Sequence, residues 1–74
     1  MNDVKEFLLK YKVGESDILM VQMIANDVPR TTMAERIGIQ YKTLCARINK
    51  LRVTFGVKSD VSLTLLFYKN KLID

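Results

Sequence analysis

The chain contains no histidine and a single cysteine. Without histidine it lacks the commonest general base, the commonest zinc ligand and every Ser–His or Cys–His nucleophile pair. Its eight carboxylates are scattered, and no spacing among them forms a metal cage or an acid–base pair. No catalytic residue, metal site or cofactor is therefore expected, and the chain is not expected to be an enzyme. One cysteine, Cys45, allows no intrachain disulfide, which fits a reducing compartment. No stretch approaches the ~18 apolar residues of a membrane span. The best candidate, Ile18 to Ala25, is broken by Gln22. The N-terminus opens on Asn2 and Asp3 rather than on a basic region, so no signal peptide is expected. From these absences the chain is expected in the cytoplasm, with no membrane partner.

A further absence is local. Between Arg36 and Lys58 there is no acid, but there are six cations: Arg36, Lys42, Arg47, Lys50, Arg52 and Lys58. The remainder holds six cations and eight acids, a net of −2 against +4 for the whole chain. The positive charge therefore belongs to one contiguous third of the sequence. A polyanion is the natural partner for it, and a solvated helix face with a chance bias of sign is the alternative.

With 74 residues the chain makes one domain. A domain of that size buries only roughly 60% of its unfolded surface, so its core is thin and packing against a second copy would help. Apolar residues make up 49% of the chain, which excludes a disordered tail.

The periodicity is helical throughout. Asn2 or Asp3 is placed to cap a first helix carrying Val4, Phe7, Leu8 and Tyr11 on one face. Gly14 ends it or marks the connection, and Ser16 caps a second helix with Asp17 in its first turn, running to about Asn26. Asp27-Val28-Pro29 is a turn. A third, short helix is expected over Arg30 to Ile37, stopped by Gly38 in the left-handed conformation, with Ile39 plugging inward. Gln40 caps the fourth helix weakly; that helix reaches Thr54 or Phe55 and stops at Gly56. Ser59 or Asp60 caps a last helix, from Val61 to about Lys71. There are no strand-like alternations and no repeats. The expected architecture is all-α: an N-terminal helical extension over residues 1–12, then a four-helix domain over residues 13–74.

A short helix, a tight glycine turn and a longer basic helix form a helix–turn–helix unit, in which the first helix braces the second for insertion in the major groove. On a helical wheel of residues 41–55, Tyr41, Leu44, Ile48, Leu51 and Phe55 share a stripe about 80° wide that should pack on the core. The opposite side presents Lys42, Ala46, Asn49 and Val53, flanked by Thr43, Cys45 and Lys50. Arg47 lies on the flank, better placed for a phosphate than for a base. A small residue at Ala46 lets the backbone approach the base edges and contact a thymine methyl, and Asn49 has the donor–acceptor pair that matches adenine.

The stretch "MIANDVPRTTMAERIGIQYKTLCARINKLRVTFGV", residues 23–57, resembles the pattern "LIA-G-S--EIA--LGIS--TV--H---I--KLGV" of the LuxR/GerE-type DNA-binding domain of bacterial transcription regulators. The resemblance covers roughly residues 13–70 and needs no gap. Met23, Ile24 and Ala25 match at the end of one helix, and Ala34, Ile37, Gly38 and Ile39 match at the helix–turn–helix. Thr43, Leu44, Ile48 and Leu51 match in the following helix, with Phe55, Gly56 and Val57 at its end. The resemblance implies four helices, the third reading the major groove and the last forming a dimer contact on a two-fold site. It implies base contacts from Cys45, Ala46 and Asn49, the side that the wheel selects independently, with Thr43, Arg47 and Lys50 as phosphate or flank contacts. The chain departs from the family where a basic residue often stands at the position of Cys45, His at that of Arg47, Lys at that of Thr54 and Arg at that of Asp60. It departs again where Glu often stands at the positions of Thr32 and Leu19. Fewer cations weaken phosphate affinity, and Lys42, Lys50 and Arg52 are the residues left to compensate.

Two apolar features stand outside this scheme. On the second helix Met20, Val21 and Ile24 should face inward, whereas Leu19 falls beside Asn26 with Met23 next to it. Leu19 is either an exposed protein-contact patch or, as the Phe7, Leu8 and Tyr11 face favours, covered by the N-terminal helix. The last helix is apolar on more than one side, and Val61, Leu65 and Tyr68 are surplus to a monomer core, as expected of a dimerisation face.

The expected function is a small stand-alone bacterial transcription regulator that binds double-stranded DNA through helix 40–54 as a homodimer. The alternative is a protein-binding module that keeps the fold and pairs with RNA polymerase or a larger regulator, as antagonist or co-regulator, through Leu19, Met23 and the last helix. A domain resembling region 4 of sigma factors ranks third. Cys45 reads as a small apolar filler or a groove-facing residue.

Overall fold

In a computed structural model the described residues, 3–74, form α1 (Asp3–Tyr11), α2 (Glu15–Ala25), α3 (Arg30–Ile37), α4 (Tyr41–Phe55) and α5 (Asp60–Lys69). No strand occurs among them, so the all-α expectation holds. The expected boundaries of α3 and α4 are met, and Ser59 caps α5 by accepting a hydrogen bond from the Ser62 amide at 3.0 Å. Asp3 is already helical, and Asn2 lies outside the described residues.

The start of α2 differs from expectation. Gly14, not Ser16, occupies the N-cap, and the Asp17 carboxylate reaches back to accept from the Gly14 amide at 3.0 Å. That bond is the second half of a capping box, which needs an acceptor three residues into the helix and no side chain at the cap. Gly14 is therefore free of any role in ending α1.

All five helices instead close through one device. The amides of Val13, Val28, Ile39, Val57 and Leu72 donate back to the carbonyls of Leu8, Met23, Ala34, Arg52 and Phe67, at 2.9 to 3.1 Å. The residue before each donor has positive φ: Lys12 (55°), Asp27 (61°), Gly38 (81°), Gly56 (69°) and Lys71 (61°). This is the Schellman closure, which satisfies carbonyls that the helix end would leave unpaired. Each donor carries an apolar side chain, and all five of those side chains pack against the core. The helix ends are thus apolar plugs as well as turns.

The core consists of Met20, Val21 and Met23 from α2, Met33 and Ala34 from α3, Leu44, Ile48 and Leu51 from α4, Leu63 and Phe67 from α5, and Ile73. α2 packs on α5 and α3, and α4 packs on α3 and α5. Ile73 enters because α5 stops at Lys69, two residues before the expected end, and the left-handed Lys71 turns the chain back. The Asp74 amide then donates to the Gln22 side chain on α2 at 3.0 Å. The Cα radius of gyration, 11.8 Å, is close to the ~11 Å of a well-packed chain of this length.

α1 is held by aromatic rings. Phe7 stacks on Phe55 at 5.3 Å between centroids and meets Phe67 edge-on at 6.1 Å, and Tyr11 lies 4.7 Å from Phe55. The helix therefore covers the ends of α4 and α5. It leaves Leu19 47% exposed, contrary to the favoured expectation that α1 would cover it. Met23, by contrast, is buried and is no part of a surface patch. Tyr41 is a further correction: it is 51% exposed, because at the first turn of α4 the inward stripe runs past the buried cluster, whose first α4 member is Leu44.

Candidate nucleic-acid interface

The turn between α3 and α4 fixes the presentation of α4. The Gly38 and Ile39 amides both donate to the Ala34 carbonyl, at 2.9 and 3.0 Å, and Gln40 enters α4 in extended conformation. Gly38 has φ 81°, a conformation in which a side chain at this position would be strained. Ile39 plugs inward as expected. Leu44, Ile48 and Leu51 then anchor α4, and its far side faces solvent.

Lys42, Thr43, Ala46, Arg47, Asn49 and Lys50 are all exposed on α4. Val53 continues the same face. Cys45 is only partly exposed, and its sulfur accepts a hydrogen bond from Arg30 Nη1 at 3.4 Å. The base-facing position that the family resemblance assigns to Cys45 is therefore turned toward α3. The Asn49 Oδ1 accepts from Arg52 Nη2 at 3.3 Å. A bidentate contact to adenine would use that same oxygen as acceptor, so any such contact would require the Arg52 hydrogen bond to open or be shared.

Behind this face sits a charge cluster that no sequence motif announces. Arg30, at the start of α3, donates from Nη2 to Asp60 Oδ2 at 2.9 Å, and Arg52 Nη1 lies 3.6 Å from Asp60 Oδ1. Asp60 Oδ1 is buried and accepts no hydrogen bond; the Arg52 guanidinium is the cation nearest to it. Asp60 is the first residue of α5, where the helix dipole also favours a negative charge. One carboxylate thus ties the starts of α3 and α5 to the last turn of α4. The cost is a cation: Arg52, expected to compensate for lost phosphate contacts, is drawn to Asp60 instead. No local spacing signals the cluster, since Arg30 and Asp60 are thirty residues apart.

The Arg30 guanidinium is held above its ordinary pKa, first by the hydrogen bond to Asp60 and then by that to Cys45. A raised pKa means that this contribution is complete below the ordinary guanidinium value and is lost only as pH climbs through the higher folded value. On the arginine side the clamp is constant across the neutral range. The ion pairs are partly exposed, so their contribution is modest. Asp60→Asn is expected to cost about 1 kcal/mol and lower Tm by about 4–8 °C. Thermal unfolding followed by circular dichroism checks this; an unchanged Tm would show that the carboxylate does not clamp the three helices.

On α5, Val61, Leu65 and Tyr68 are 67%, 56% and 61% exposed. Their i, i+4, i+7 spacing puts them on one face, opposite Leu63 and Phe67 in the core. No helix among the described residues is long and apolar enough to cross a membrane, and no group of three or more potential metal ligands occurs among them. No family model, no curated protein and no solved structure matches the chain.

Proposed function

We propose that the chain is a small cytoplasmic transcription regulator with a LuxR/GerE-like arrangement, binding duplex DNA in the major groove through α4 and dimerising through Val61, Leu65 and Tyr68. The observation that carries the reading is the outer face of α4. Lys42, Thr43, Ala46, Asn49 and Lys50 are exposed together, small residues lie between the cations, and no acid occurs from Arg36 to Lys58. A helix about 10–12 Å across fits the roughly 12 Å major groove. Ala46 allows close approach, Asn49 reads adenine, and Lys42, Arg47 and Lys50 meet phosphates. The exposed stripe on α5 supplies a two-fold contact of the kind that pairs two such helices on a palindromic site.

Fluorescence anisotropy of a labelled mixed-sequence duplex, titrated with the protein at low and moderate salt, tests this. Affinity is expected to fall steeply with salt, as counterion release requires. With no histidine in the chain, binding is expected to be flat between about pH 6 and pH 8. A folded protein that leaves the anisotropy unchanged at low salt would remove the DNA reading.

A second reading keeps the fold for binding a protein, RNA polymerase or a larger regulator. It is favoured by the exposed Leu19 and by the pairing of Arg52 with Asp60, which leaves fewer cations for phosphate. In that reading Leu19 and the α5 stripe carry the contact, without the buried Met23.

A further inference from the structure

We infer that the phosphodiester backbone beside the α4 groove is held in a cleft between α4 and the α1–α2 junction, with Lys12 as a phosphate ligand on the far wall. The cleft has a volume of about 430 Å³ and is lined by Lys12, Ser16 and Asp17 on one side and by Arg47, Lys50 and Thr54 on the other. This inference rests on the DNA-binding reading above and extends its footprint to an element outside the helix–turn–helix unit.

The geometry of α4 places the cleft where a phosphate strand has to pass. Arg47, Lys50, Leu51 and Thr54 lie at i, i+3, i+4 and i+7, one flank of the helix, and Leu51 forms part of the cleft lining. At 100° per residue that flank is about 120° around from the side carrying Lys42, Ala46, Asn49 and Val53. A helix that nearly fills the major groove has its flanks against the two backbones. A strand running along this flank meets Arg47 and Lys50 from α4 and faces Lys12 across the cleft.

The charge and chemistry of the lining fit a phosphate. Three cations face one carboxylate, and Ser16 adds a hydroxyl; the Thr54 hydroxyl is already donated to the Lys50 carbonyl at 2.8 Å. The carboxylate is Asp17, one oxygen of which is already engaged by the Gly14 amide. Lys12 is the left-handed closing residue of α1, with φ 55°. Its backbone is fixed by the Val13 amide bonding to the Leu8 carbonyl at 3.1 Å, so the lysine stem starts from a defined point. The aromatic contacts of Phe7 and Tyr11 with Phe55 hold that point against the end of α4. Attachment of α1 thereby positions a phosphate ligand as well as covering the core.

Lys12→Gln removes the charge while keeping a side chain of similar length, and Lys5→Gln on the exposed side of α1 serves as its control. The readout is the slope of log affinity for the labelled duplex against log salt. Loss of one phosphate contact reduces the slope by about 0.9, so that across a fourfold salt range the variant loses about three- to fourfold less affinity than the unaltered chain. Lys12→Gln is expected to show this change and Lys5→Gln to show none. Three results would overturn the inference. If the Lys12→Gln slope is unchanged while the unaltered chain binds duplex steeply, the cleft does not hold the backbone and the α4 reading survives. If Lys12→Gln loses a thermal stabilisation by inorganic phosphate but keeps the duplex slope, the cleft takes a free anion instead. If the unaltered chain binds no duplex at low salt, the inference falls together with the reading beneath it.

Discussion

Replacing Lys42 and Lys50 together by Glu is expected to abolish duplex binding while leaving the fold and the oligomeric state unchanged. Both side chains are exposed, and neither contributes to the buried cluster. Surface changes of this kind usually alter stability by no more than about 0.5 kcal/mol. The effect on DNA is of another order. Two attractive charges become two repulsive ones, a change of four units beside a phosphate strand. At about 1 kcal/mol per unit charge at contact distance in water, affinity falls by about a hundred- to a thousandfold at low salt, and the salt slope flattens. Anisotropy reads the binding, circular dichroism the fold and sedimentation velocity the assembly. A double variant that still binds duplex as tightly as the unaltered chain would remove α4 from the contact. If the chain instead acts on a protein partner, the same double change leaves that activity intact, and Leu19→Glu destroys it.

The helices were legible in the sequence where their signals are local. The boundaries of α3 and α4 could be read because Pro29, Gly38 and Gly56 punctuate them, and the inward stripe of α4 because its period is uninterrupted from Leu44 to Leu51. The ends of α1 and α5 were not legible for a specific reason. Glycine is the residue that the left-handed position favours, whereas Lys12 and Lys71 adopt it here. The readable signal is the apolar residue that follows each one, Val13 or Leu72, whose packing against the core offsets the backbone cost. The α2 cap likewise stands two residues before the expected Ser16, because Gly14 opens that helix rather than ending α1. The candidate site was legible in the same partial way. Periodicity found the exposed face of α4, but not the Arg30–Asp60–Arg52 clamp, which joins residues from three elements. That clamp turns Cys45 toward α3 and takes Arg52 from the phosphate side, so the cations free to act on α4 are Lys42, Arg47 and Lys50. A charge count along the chain cannot separate these three from a fourth that is held by a carboxylate.

Phe67→Ala is expected to unfold the chain, whereas Phe7→Ala is expected to release α1 alone. Phe67 is fully buried on α5 and meets Phe55 edge-on at 5.4 Å and Phe7 at 6.1 Å. Truncating such a side chain costs about 3–5 kcal/mol. In a chain this short a single core rarely supplies more than about 3–5 kcal/mol, so little or nothing remains. Urea unfolding should lose its cooperative transition, or shift it to very low denaturant. Phe7 is only partly buried, and its ring pairs with Phe55 and Phe67 at the edge of the core rather than within it. Losing its contacts with Phe55 and Phe67 costs about 1–3 kcal/mol, combining partial burial with aromatic pairing. That is enough to detach a nine-residue helix, since isolated helices of that length are not stable in water. Hydrogen exchange is the measurement that separates the two variants. In Phe7→Ala, protection should be lost over α1 and kept at Met20, Leu44, Ile48 and Leu63. Protection lost evenly over all five helices would show that α1 belongs to the same cooperative unit as residues 13–74 and is no extension of it. If protection is lost over α1 alone and the duplex salt slope flattens with it, the helix is dispensable for folding but positions Lys12 at the phosphate strand.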